Sequence, residues 1–182
     1  MALKYLPLIV GAPLVFAGEV KLAETEKALT FSQDGIEILT YHKAEVPAPE
    51  GADPVFRRSG FIHPLRSPKG GVVTGMHPED HKHHLGLWHA WVKTKHGLDS
   101  PDFWNLGSKS GRVRFSKLLE KSENGFSVEQ EQVAYKGPDK KETVVLKEIL
   151  KVSVSSTGEA NIIDYEVTQT NVSGVKLELP AY

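Results

Sequence analysis

Three observations predict an all-β fold, an antiparallel β-sandwich or barrel. After Arg112 the apolar residues alternate with polar ones at period two. Turn signals punctuate that alternation at Asn124-Gly125, Gly137-Pro138-Asp139 and Ser156-Thr157-Gly158, as in an antiparallel meander. Upstream, Gln33-Asp34-Gly35 separates Leu29–Ser32 from Ile36–Tyr41, the pattern of a hairpin with Asp-Gly at its turn. Alternation on one side only places one face of each sheet on a core, hence a sandwich or barrel.

Taken in order, residues 1–18 read as a secretory signal. Lys4 gives a positive start, Tyr5–Phe16 an apolar stretch, and Val15-Phe16-Ala17 small residues suited to cleavage near Gly18 or Glu19. The alternative there is a buried N-terminal strand. A secreted or periplasmic β-sandwich domain is then expected over 19–182. Pro47, Pro49, Gly51 and Pro54 mark a loop over 44–56. Phe61–Leu65 and Val72–Thr74 flank the turn Ser67–Gly71 as short strands, and an apolar run covers Leu85–Val92. Residues 94–111 form a second loop with an aromatic patch at Asp102-Phe103-Trp104-Asn105. Further on, Val144, Leu146, Leu150, Val152 and Val154 share one strand face, with Lys147, Lys151 and Ser153 on the other; Ile163, Tyr165 and Val167 repeat the alternation.

Composition narrows the function. The 182 residues are 40% hydrophobic and 25% charged, enough to bury the core of one domain. The net charge of -1, without a basic stripe, argues against nucleic acid as a partner. No apolar span follows residue 18, so an integral membrane protein is not expected. The absence of cysteine excludes disulfides, thiolate metal sites and cysteine nucleophiles. No phosphate loop, dinucleotide fingerprint or G-x-S-x-G elbow is present.

The chemistry concentrates in 77–91, which holds five of the eight histidines: His77, His81, His83, His84 and His89. Imidazole titrates near neutrality and is the commonest metal ligand. On extended backbone His81 and His83 would share a face about 6.5 to 7 Å apart. That spacing suits two ligands of one divalent metal, with Asp80 or His84 as a further ligand or as an orienter. The same groups suit general acid–base work on a sugar or another hydroxylated substrate, and a solvated loop around Pro78 is the plain alternative. Trp88, His89 and Trp91 follow; on a strand Trp88 points away from the other two. Either tryptophan is a stacking platform for a sugar ring or core filling. Arg57, Arg58, His63 and Arg66 are candidates to bring cations and another imidazole to a cleft, and Trp104 sits in a loop that either covers a site or forms a small core of its own. Glu129, Glu131 and Glu166 read as solvent-facing strand acids, and Asn171-Val172-Ser173 matches a glycosylation sequon.

Arg58-Ser-Gly-Phe-Ile-His63-Pro-Leu, Ser67-Pro-Lys-Gly70, Pro78-Glu-Asp80-His81-x-His83-His84-x-Gly86-Leu-Trp88 and Asp102-Phe-Trp104 together resemble the bacterial family labelled methane oxygenase PmoA, over roughly residues 29–182. The resemblance implies exported proteins, a β-sandwich of the galactose-mutarotase type and a link to carbohydrate metabolism. The label does not imply the activity, because a membrane monooxygenase subunit needs several apolar spans. Members of that family continue with further strands, so the domain is expected to be incomplete at its C-terminus. The leading expectation is a carbohydrate-like ligand, with His81, His83 and His84 as proton-transfer groups, His63 nearby, and Asp80 orienting an imidazole. Trp88 or Trp91 would stack, with His89, Arg58 and Trp104 as further binding residues. A metal-dependent enzyme using His81, His83 and Asp80, and a non-catalytic binding module, stand as alternatives. Whether the protein is an enzyme at all is left open by the sequence.

Overall fold

A computed structural model describes residues 18–137 and 139–181. The expected signal segment therefore lies outside the described residues, Gly18 excepted. The first sheet contains β1 (Val20–Glu24), β2 (Ala28–Gln33), β3 (Ile36–His42) and β4 (Phe61–Leu65), in the order β1-β2-β3-β4. A two-residue strand, β5 (Lys95–His96), lies in the long connection that follows. The second sheet contains β6 (Gly111–Lys121), β7 (Gly125–Lys136), β8 (Lys141–Ser156) and β9 (Asn161–Asn171), again in sequence order. Finally β10 (Leu177–Glu178) pairs with β5. Every strand pair is antiparallel. The chain is thus an all-β, sandwich-like protein, as the alternation and its turns predict.

The β2–β3 hairpin turns where the sequence places it. Asp34 (φ 51°) and Gly35 (φ 80°) both take positive φ, and Gln33 pairs with Ile36, as a two-residue loop matching the strand twist requires. The main core lies between the sheets. Leu29, Phe31, Leu39, Tyr41 and Ile62 of the first sheet meet Phe126, Val128, Leu150, Val152 and Val154 of the second. A second core joins Val113, Ala134, Val145 and Leu146 to Ala90 and Phe103 from the long loops.

Three local expectations change. Val72–Thr74 is not a strand: it contributes one bridge, Arg66 to Val72, and a bond from Val73 N to Leu65 O of 2.8 Å. Leu85–Val92 is likewise irregular, tied by single bridges from Met76 to Leu85 and from Ile62 to Leu87. Pro64 has no N–H to donate, which limits how far the edge of β4 can pair. On β8 a register shift opposite Gln132 and Val133 breaks the alternation, so Val145 is buried while Val144 is only half-buried.

Candidate functional site

The histidine segment folds as a turn. His77 takes φ 52°, His81 N bonds Pro78 O at 3.1 Å, and His84 N bonds His81 O at 2.9 Å. The extended backbone expected for His81 and His83 is therefore replaced by chain reversal, which brings three rings together. Ring centroids lie 5.7 Å apart for His81 and His83, 4.9 Å for His81 and His84, and 4.6 Å for His83 and His84. Asp80 orients one of them: its Oδ2 lies 2.9 Å from His81 Nδ1, in an exposed position. That contact holds the Asp80 carboxyl below its usual range. Partial burial, with His84 and His81 adding like charge, lowers the pKa of His83 and keeps it neutral near pH 7. Among the described residues no group of three or more His, Asp or Glu side chains is arranged to hold a metal ion, so His81, His83 and Asp80 are neighbours here and not a formed ligand set.

Gly86 joins this turn to the body of the protein. It takes φ 73°, and a Cβ there would overlap the Ile62 carbonyl oxygen and stand 3.0 Å from the His63 Cβ. Only glycine lets the segment run this close to β4. His63 itself donates or accepts at 3.0 Å with the Thr74 hydroxyl, and burial lowers its pKa, with repulsion from His42 adding to it. It does not join the three rings of the turn.

Beyond the turn the side chains form a chain of contacts. His84 meets the edge of Trp104 at 5.9 Å, Trp104 lies 4.5 Å from Trp88, and the Arg58 guanidinium carbon sits 4.1 Å from the centre of a Trp88 ring. A groove of about 460 Å³ opens between Met76, Pro78, His84, Leu87, Trp88 and Trp104. The Asp102–Asn105 patch plays both parts considered for it. Phe103 is fully buried in the second core, while Trp104 reaches the groove. Asp102 Oδ1 accepts from Trp104 N at 2.9 Å and Asn105 N at 2.8 Å, which fixes the loop.

Arg58 is not a surface cation. It has no solvent exposure, and its three guanidinium nitrogens have no hydrogen-bond partner among the described residues. Burial pulls its pKa down to about 9, against the attraction of Tyr165 and Glu148. It supports Trp88 from within the protein. Arg57 instead pairs with Glu45 at 3.2 Å, and Arg66 with Glu37 at 2.9 Å.

The sequence reading missed the carboxylate that faces this interior. Glu148 on β8 has no exposure and sits between its apolar neighbours Leu146 and Leu150 in phase. Its register partners are Gln130 on β7 and Gln169 on β9. Gln130 Nε2 (3.4 Å), Gln132 Nε2 (3.2 Å) and Gln169 Nε2 (2.8 Å) all donate to it. His89 Nδ1 is the fourth donor, at 3.1 Å. Trp91 lies edge-on to His89 at 5.5 Å and donates from Nε1 to Gln169 Oε1 at 2.7 Å. His89 and Trp91 thus stay together without the strand that the reading of their spacing assumed, and Trp88 and Trp91 both pack against the second core. An acid in the phase of an otherwise apolar strand face was the one signal available. Glu129, Glu131 and Glu166, by contrast, make outer ion pairs with Lys147, Arg114 and Lys151.

A family model described as a family of unknown function, DUF6807, matches residues 28–182. The chain belongs to the DUF6807 family. The match takes in both sheets from β2 onward together with the histidine turn, the groove and Glu148. No curated protein and no solved structure matches the chain. No helix among the described residues is long and apolar enough to cross a membrane.

Proposed function

We propose that this DUF6807 chain is an exported protein that binds a carbohydrate-like ligand in the groove between Trp88, Trp104 and His84, with His83 and His84 in place for proton transfer. The observation that carries the reading is two indoles 4.5 Å apart that line a 460 Å³ groove together with His84, which meets the edge of Trp104. Indole faces take the apolar face of a sugar ring, and neutral imidazole hydrogen-bonds its hydroxyls or accepts a proton from one. The lowered pKa of His83 suits a base at neutral pH.

The test is a titration of the tag-free protein with a panel of neutral and acidic mono- and disaccharides, followed through the indole N–H resonances. One sugar class shifts Trp88 and Trp104, and Trp104→Ala weakens that binding about thirtyfold, the size of an aromatic hot spot. A panel that moves neither indole sinks the proposal. Metal analysis of the same protein decides the metal-dependent alternative, which wins if stoichiometric metal is present and is lost in the His81→Ala, His83→Ala double variant.

A further inference from the structure

We infer that His89, held by Glu148, is a proton-transfer site separate from the histidine turn, acting on a hydroxyl of a ligand seated beside Trp91. A buried carboxylate is expensive. Taking it out of water carries a desolvation cost that hydrogen-bond donors around it must offset. It is also provided for: three glutamines from β7 and β9 and one imidazole surround it. Three of those donors are amides with no chemistry of their own. The fourth is a histidine whose side chain is 31% exposed while the carboxylate behind it is 0% exposed.

The geometry fixes the tautomer. Glu148 Oε2 is an acceptor, so Nδ1 carries the proton and donates to it. Gln169 Nε2 also approaches Nδ1 at 3.4 Å, but its 2.8 Å bond goes to the same carboxylate oxygen, so both groups donate inward. The lone pair therefore sits on Nε2, which has no hydrogen bond from the described residues. An imidazole oriented by a buried carboxylate, with its other nitrogen free, is the orienter–base pair of nucleophilic and general-base sites. In the step, the ligand O–H breaks, the N–H bond forms at Nε2, and the electron pair stays on oxygen. The imidazolium charge then faces Glu148, which balances it, and the same proton is returned afterwards. Trp91, 5.5 Å from His89 and anchored by its Nε1 bond to Gln169, gives the ligand a flat wall. Glu148 is a positioning residue and His89 the group that meets the ligand. The ligand is of the hydroxylated class already proposed for the groove, but the tautomer and reactivity of His89 do not rest on that reading.

The test uses the whole chain, labelled with ¹⁵N-histidine, at pH 8. His89 shows protonated Nδ1 and bare Nε2, and diethyl pyrocarbonate carbethoxylates it at Nε2, mapped by mass spectrometry. Glu148→Gln slows that acylation about tenfold or more, the usual effect of removing an imidazole's supporting carboxylate. Methyl β-D-glucopyranoside at high concentration protects His89. A wild-type His89 with its proton on Nε2, an acylation rate that Glu148→Gln leaves unchanged, or no protection by the glycoside each overturns the proposal. The tautomer is read on the wild type, so a Glu148→Gln chain that fails to fold leaves the test standing. The groove is read from the Trp88 and Trp104 indole shifts and this site from the tautomer and acylation of His89, so failure of the groove and failure of this site are distinguishable.

Discussion

Arg58 and Glu148 both lie out of reach of solvent. They share no hydrogen bond, but the attraction of Glu148 opposes the loss of charge that burial imposes on Arg58. Removing one alone strands the other in a low-dielectric interior. Glu148→Leu is expected to cost about 3–5 kcal/mol in urea unfolding, and Arg58→Met on top of it to restore most of that loss. A single variant that loses less than about 1 kcal/mol shows that Arg58 does not depend on this carboxylate. Neither role was readable at the residue scale. Arg58 looks in the sequence like a surface cation beside Arg57, and Glu148 like one more acid among the lysines of a strand. The histidines were legible as a cluster because five fall within fifteen residues. Their turn was not, since it rests on a positive φ at His77 that the sequence pattern left unmarked.

Among the elements, loops and not strands build the groove. The 77–91 segment approaches β4 only because Gly86 has no side chain, whereas Gly35 occupies an open turn with nothing within 4 Å of a Cβ. Both glycines have positive φ, so the two alanine variants share the backbone cost of about 1–2 kcal/mol and differ by the clash with Ile62. Gly86→Ala is thus expected to lower the thermal midpoint by clearly more than Gly35→Ala, with the Ile62–Leu87 bridge protons losing exchange protection. Equal midpoints would show that the segment can move away from β4. In the 94–111 loop, Phe103→Ala removes a fully buried ring and should cost about 3–5 kcal/mol, displacing Trp104 with it. The strands themselves were legible wherever one face is apolar and the other polar. The alternation misled at Val144, where a bulge at Val145 on β8 shifts the rest of that strand by one residue, and bulges leave no signature in a period-two pattern.

Over the whole molecule, the row Gln130–Glu148–Gln169 runs across three strands between the main core and the second core, so a polar seam separates two apolar layers. Acid acts on the molecule through its imidazoles first. Burial is the main cause that lowers the pKa of His42, His63, His83 and His96. The unfolded chain takes up protons near pH 6.5 that the folded chain refuses, so stability falls as the pH drops below about 6.5. Glu37, Glu129, Asp53 and Asp80 have lowered pKa values, so the stability they add above the ordinary carboxylate range is lost below it. Calorimetry at pH 8, 7, 6 and 5 should therefore find a thermal midpoint that is level at first and falls from pH 6.5 downward; a level midpoint to pH 5 contradicts the burial of these imidazoles. The sequence by itself determined the fold class, the turn of the β2–β3 hairpin and the segment that carries the histidines and tryptophans, because period, turn chemistry and clustering are local properties. Only the tertiary structure decided that Glu148 stands behind His89, that Arg58 supports Trp88 and that Trp104 meets His84. Those contacts join residues far apart in the chain through strand register and loop packing, and no local pattern encodes them.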